Sequence, residues 1–475
     1  MIDATEQLEK GKILRLVFKL TIPAVIAQLI TFLYNIVDRM YVAHIDEVGM
    51  DALAALGVVL PVTLIIQAFA NLIGLGGSPR ASMKLGENDK IEANKLFNTS
   101  IALLAITGVI VSLTVFFLAE EIVVLFGCPP VAVEFAASYL EIYSAGTVFV
   151  LLAQGLNPFI TAQGSSFIAM LSVSIGAAAN IALDPLFIFA LDMGVKGAAL
   201  ATVISQFLSF VWIIAFFFTK RSIFKVRVGD MRPNGKRIFS ILSLGFSPFI
   251  MTLTECAIQI VFNVNLRAAT GGDKDHTAAL TVMMSALQII SLPLNGLGYG
   301  MQPFISYNYG RGNAKRLRSG VKILTIVAFI YAVAVWSLSM AFPQMYAYLF
   351  SASDSVKKIV VGYAPYFLMG SIMFFVQMTL QNVNIALGQA RTALILAVMR
   401  KVVILIPLCY VLTHYIGFAG VFMSEGIADL VAGIITAVVI FVTFPRVFKR
   451  REAQVMAGGN GESGCAKNIE EEATS

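Results

Sequence analysis

The sequence predicts an all-α polytopic membrane protein: twelve transmembrane helices in two parallel-repeat six-helix bundles around a central cleft. Three observations carry that prediction. Of 475 residues, 58% are hydrophobic and only 13% charged, about half the charged share of a soluble domain, which leaves too few polar groups to clothe a water-facing surface. The apolar residues fall in twelve long runs, each able to cross a bilayer as a helix of about 20 residues. Finally, the chain registers with itself at a shift of 224 positions.

In chain order the first six runs lie near 12–43, 51–78, 95–118, 133–155, 164–190 and 196–219, and the second six near 238–266, 277–303, 318–342, 357–384, 391–415 and 417–443. Helices are the expected form because an isolated span must satisfy its backbone hydrogen bonds internally. The first run is too long for a signal-peptide core and lacks a small-residue cleavage site, so it is expected to remain as a helix. An even number of spans puts both termini on one side. The segments on that side carry 24 Lys and Arg residues, among them Arg80, Lys84, Arg232, Arg311 and Arg451, against five in the opposite loops. The positive-inside rule therefore places both termini in the cytoplasm and the protein in the inner (plasma) membrane.

The self-registration is specific. Asn71, Gly74, Gly76, Pro79, Ser82 and Gly86 fall on Asn295, Gly298, Gly300, Pro303, Ser306 and Gly310, and further on Phe126, Tyr139, Gly146 and Gly164 fall on Phe350, Tyr363, Gly370 and Gly388. Six helices per half is an even number, so both halves insert with the same orientation and are related by an axis along the membrane normal. The expected units are an N-terminal lobe at 1–221, a basic cytoplasmic linker at 222–242, a C-terminal lobe at 243–451 and a disordered tail at 452–475, where Gly, Glu, Ser and Ala replace the apolar runs.

Several function classes are excluded at this stage. The net charge of +6 arises in membrane-flanking loops, so no nucleic-acid partner is expected. Cys128, Cys256, Cys409 and Cys465 share no metal-ligand spacing, and His44, His276 and His414 stand singly at helix ends; no metal site or cofactor is expected from them. No clustered nucleophile or acid–base motif points to an enzyme or a catalytic residue, and no Gly-x-x-x-x-Gly-Lys sequence offers a phosphate loop for ATP. Two parallel bundles around a cleft make a transporter layout, working as a monomer on small-molecule substrates within the lipid bilayer.

Several stretches resemble the MATE (multidrug and toxic compound extrusion) family: the first helix with Pro23 and "LYNIVDRMYVAHI", then "QGLNPFITAQGS", "AANIALDPLFIF", "GVKGAALATVISQ", "GYGMQPFISYNYG" and "GFAGVFMSEGIADLVAG". The resemblance spans roughly 12–445 and is nearest to the MepA-type and DinF-like branches.

Ionisable groups in the spans focus the functional reading, because each costs roughly 2.5–3.5 kcal/mol at a helix centre and is kept when paired, wetted or used. In the first half, Asp38 and Asp184 stand at similar depth, with Asn180 one turn before Asp184 on the same face; Tyr139 and Thr202 reach the same level. The resemblance implies that Asp38 and Asp184 carry the coupling cation, H⁺ or Na⁺, supported by Asn180, Tyr139 and Thr202. The alternative is a hydrogen-bonded cluster that only fixes packing. In the second half Glu255, Gln259 and Asn263 form one stripe at four-residue spacing, and Gln377 and Gln381 share a face; these are the second set of candidates for coupling or substrate. Arg400 and Lys401, with Glu425 and Asp429, are expected to form structural ion pairs between the eleventh and twelfth helices. The function so expected is a secondary multidrug efflux antiporter exporting organic, cationic compounds. The competing reading, a flippase for lipid-linked or amphipathic substrates, requires cleft-facing basic groups, for which Arg400 and Lys401 are the only candidates.

Overall fold

The computed structural model describes residues 7–45, 52, 55–350 and 352–453 with their side chains, and the backbone also at 4–6, 49–51, 53–54 and 454–472. The expected disordered tail falls almost wholly outside the residues described with side chains. Among the described residues there is no strand, and twelve helices are long and apolar enough to span a membrane: α1 (Ile13–Ala43), α2 (Ala55–Gly86), α3 (Lys90–Phe117), α4 (Pro130–Ala162), α5 (Ser166–Ala190), α6 (Gly194–Phe218), α7 (Gly235–Thr270), α8 (Lys274–Arg311), α9 (Ala314–Ala341), α10 (Asp354–Ala386), α11 (Ala390–Ile416) and α12 (Phe418–Ala453).

The runs located the helices, but several helices outlast their apolar stretch. Helix α2 continues through Pro79 to Gly86, and α4 extends to Ala162, because a helix end beyond the hydrocarbon keeps its own hydrogen bonds. Between α3 and α4 a short helix, Ala119–Leu125, covers the bundle end; its counterpart between α9 and α10 is Gln344–Leu349. Helix α7 starts inside the expected linker, which narrows to 219–234. This stretch is pinned to the first half: the Ile223, Lys225 and Arg227 backbone N–H groups donate to Gln163 Oε1, Asn94 Oδ1 and Asn98 Oδ1 at 2.6, 2.7 and 2.8 Å.

The sequence repeat is reproduced in the packing. Helix α1 packs on α5, α5 on α6, and α4 on α2, α3 and α6; in the second half α7 packs on α11, α11 on α12, and α10 on α8, α9 and α12. Local chemistry repeats too. Asp89 caps α3 through the Glu92 N–H, as Asn313 caps α9 through Arg316. Gly164 and Gly388, 224 residues apart, both hold positive φ, +84° and +72°, a conformation open to glycine at little cost. Ser82 donates to the Ala162 carbonyl at 3.4 Å and Ser306 to that of Ala386 at 2.7 Å.

Between the halves, α1 packs on α8 and α7 on α2, with α2 against α8 near the axis. These contacts are closest toward the end of the bundle that carries the termini. A Cβ on Gly245 of α7 would lie 1.7 Å from the Leu72 carbonyl oxygen of α2, and Cβ atoms on Gly86 and Gly310 would lie 2.1 Å from the Tyr307 and Met83 carbonyl oxygens. Only glycine permits that backbone approach. Arg451 seals the same end by donating to Glu87 at 2.5 Å and to the Gly310 carbonyl at 2.8 Å. The N-terminal segment joins it, with the Leu8 carbonyl accepting from Asn308 and Arg316, both at 3.2 Å.

Toward the opposite end the halves part. On α7 the residues meeting α2 include Gly245, Thr252 and Cys256. At 3.6 residues per turn, Gln259 and Asn263 continue that inner side, yet both are exposed. The apolar exposed residues Phe246, Ile260 and Val264 lie on the outer side, toward lipid. The inner stripe is exposed because α2 no longer covers it, which defines a cleft open away from the termini.

Candidate functional site

Two polar clusters form, one inside each half. In the first, α1 supplies Asp38, α5 supplies Asn180 and Asp184, α4 supplies Tyr139 and α6 supplies Thr202. Asp184 and Asn180 are 0% and 2% exposed. Their spacing of four places them on one face, and Asn180 Nδ2 donates to Asp184 Oδ1 at 3.1 Å. The Asp38 and Asp184 carboxyls stand near enough to feel each other's charge. Tyr139 adjoins Thr202, whose hydroxyl donates to the Ala198 carbonyl at 3.0 Å. Asp38 Oδ1, Asn180 Oδ1 and Asp184 Oδ2 are buried without a donor. All five predicted residues thus converge.

Tyr143 belongs to the same wall and escaped sequence reasoning. Its ring stacks on Tyr139 with centroids 6.1 Å apart. The signal was available, since the two tyrosines are one turn apart.

The second cluster lies among α7, α10, α11 and α12. Arg400 grips Asp429 through Nη2 at 2.6 Å and Nε at 2.7 Å, and reaches Glu425 at 3.5 Å. Its guanidinium also lies 5.4 Å from the centre of the Phe374 ring. Lys401 does not join these helix-12 acids as the spacing suggested. It pairs with Glu255 of α7. The correction has a geometric cause: adjacent helical residues point about 100° apart, and α11 widens into a π-helix at Met399–Leu405, so Arg400 faces α12 while Lys401 faces α7. Gln377 donates to the Asp429 carbonyl oxygen at 2.5 Å and Gln381 to that of Ala393 at 3.1 Å; both are buried interhelical ties, 2% and 6% exposed, and neither lines the cleft. Gln259 and Asn263 remain exposed on the cleft side of α7, outside the ionic cluster.

Exposure separates the clusters chemically. The Lys401 side chain is 4% exposed, whereas that of Glu255 is 50% exposed. The first half therefore holds an enclosed nest of acceptors, and the second presents one carboxylate to the cleft.

Twelve helices in two parallel repeats, acids buried at membrane depth and a cleft between the halves define a polytopic transporter, not an enzyme. The MatE family model matches the chain twice, over residues 23–186 and 248–411, one match per half. The chain belongs to the MATE family of multidrug efflux transporters. It is 28% identical to the multidrug export protein MepA of Staphylococcus saprophyticus over 92% of this chain and 96% of that protein, and 24% identical to MepA of Staphylococcus aureus over the same shares. Among solved structures, an outward-facing multidrug resistance MATE transporter of the MOP superfamily superimposes with a TM-score of 0.86 at 26% identity, covering 93% of this chain and 98% of the other.

Proposed function

We propose that the protein is a secondary antiporter of the inner (plasma) membrane, exporting organic cations in exchange for H⁺ or Na⁺, with both termini cytoplasmic and the cleft seen here open outward. The observation that carries this reading is the facing of Asp38 and Asp184 in an enclosed pocket whose buried oxygens lack donors. Buried polar atoms are ordinarily paired, and a pocket of unpaired acceptors between two carboxyls is short of one positive charge. A proton or Na⁺ supplies it.

Coupling to the cleft follows from α1. The same helix carries Asp38 and meets α8, with a Cβ on Gly300 falling 2.6 Å from Thr21 Cα and one on Gly296 falling 2.7 Å from Val25 Cα. Pro23 lies between these contacts and removes a helical hydrogen bond, a common cause of bending. Ion gain at Asp38 can therefore change how α1 rests on α8, and with it the stance of the halves. One proton moving down one pH unit releases roughly 1.4 kcal/mol, which sustains about a tenfold gradient of an exported monocation; the roughly 2.3 kcal/mol it gains from 100 mV is offset by moving that cation out against the same potential. The names of the MepA relatives support multidrug substrates. Arg400 and Lys401 are both committed to carboxylates, which argues against the flippase reading.

The test is transport of ethidium into reconstituted vesicles under an imposed pH gradient and, separately, an imposed Na⁺ gradient. One of the two should drive accumulation, and Asp38→Asn or Asp184→Asn should reduce it at least tenfold while ethidium still binds. Undiminished gradient-driven transport in both variants would remove the coupling assignment.

A further inference from the structure

The second-half cluster is one positive charge short. Glu255, Glu425 and Asp429 face Arg400 and Lys401, three acids against two bases on α7, α11 and α12. Arg400 is fully occupied by the helix-12 acids. Lys401, buried on a flexible stem, binds Glu255 through its Oε1 alone, and that carboxylate stands half-exposed at the cleft. Behind it, Glu425 lies within electrostatic range of Lys401 and keeps Oε2 buried without a donor. An ammonium with one partner on the cleft side and an unfilled acceptor on the bundle side has two places to go.

We propose that Lys401 is a resident counter-cation for Glu255, displaced toward Glu425 when an organic monocation docks on Glu255 from the cleft. With the ligand bound the cluster holds three cations and three carboxylates and is balanced, a requirement for charges kept at membrane depth. Lys401 then sets specificity: a single positive charge completes the site, while a neutral compound leaves Lys401 in place. Lysine suits this role because its ammonium is a point charge on four rotatable carbons, whereas a guanidinium fork would be held by bidentate geometry. The proposal rests on the reading that this protein exports organic cations.

The experiment measures binding of tetraphenylphosphonium, and of neutral triphenylphosphine oxide, to the purified full chain in detergent. Lys401→Met removes the competitor and should tighten tetraphenylphosphonium binding about tenfold or more, the scale of one charge-assisted hydrogen bond, with no change for the neutral probe. Glu425→Gln removes the receiving acceptor and should weaken tetraphenylphosphonium binding without touching the ligand. Glu255→Gln should weaken it as well and erase the gain from Lys401→Met in the double variant. A merely structural Lys401 would give unchanged or weaker binding in Lys401→Met, which overturns the proposal. If that variant does not fold, Lys401→Gln and Glu425→Gln decide it by the same criteria. Unaltered binding in Glu255→Gln would instead overturn the assignment of the organic cation to this carboxylate, leaving the efflux reading to the vesicle assay.

Discussion

Arg400 holds together the ionic cluster of the second half. Its side chain is 11% exposed and that of Asp429 is 1% exposed, so the pair exists at low dielectric, where the attraction and the cost of losing one partner are both large. Removing one member of a buried pair typically costs about 3–5 kcal/mol because the other charge is stranded. Arg400→Met should therefore lower the midpoint of fluorescence-monitored thermal unfolding by several degrees, and Arg400→Met combined with Asp429→Met should recover part of the loss. Arg400→Lys should be intermediate, since an ammonium cannot reproduce the two-pronged grip of Nη2 and Nε. The first-half cluster has the opposite character: among the described residues neither Asp38 nor Asp184 is held in a salt bridge, and Arg39 acts on Asp38 only at electrostatic range. Asp184→Asn should spare stability while removing coupled transport.

At the scale of elements, helix irregularity decides which residues meet. Helix α11 passes through seven π-helical residues at Met399–Leu405, and α10 through a 3₁₀ turn at Met369–Met373 followed by a π stretch at Phe375–Leu380. Such widened turns cluster at functional positions because they re-aim side chains; here they direct Lys401 at α7 and Gln377 at α12. The α2–α7 contact is the other decisive element pairing. Two backbones meet at Gly245 and Leu72, and a carbonyl cannot yield as a flexible side chain can. Gly245→Ala should thus force the helices apart and open the end that carries the termini. Labelling of Ser78→Cys by a membrane-impermeant maleimide from that side should rise severalfold over the Gly245 parent, and unchanged labelling would contradict the glycine seal.

For the whole molecule, the question is what holds one end shut. The candidates are the glycine-lined backbone contacts and the Arg451–Glu87 pair. The ion pair is partly exposed, with side chains 20% and 30% accessible, and such pairs are worth about 0–1 kcal/mol. The combined change Arg451→Ala and Glu87→Gln should then shift the open-to-closed ratio at that end by less than about fivefold, read as spin-label distances between the ends of α2 and α8. A complete switch to the opened state would show that charge, and not packing, carries the seal. The repeated arrangement of α1 on α8 and α7 on α2 makes the two halves comparable bodies with one shared contact zone, as a rocking motion needs.

The sequence by itself determined the class, the number and approximate place of the spans, the repeat, and the shared face of Asn180 and Asp184. These follow from local chemistry: hydrocarbon thickness, backbone satisfaction and a four-residue spacing on a regular helix. Tertiary structure alone decided that Lys401 serves Glu255, that Gln377 and Gln381 are spent inside the bundle while Gln259 and Asn263 face the cleft, and that the bundle is sealed at the end carrying the termini. Each of those outcomes depends on which helix occupies the neighbouring space and on turns that depart from 3.6 residues. Residue spacing along one chain fixes a side chain's direction on its own helix, but not what waits there.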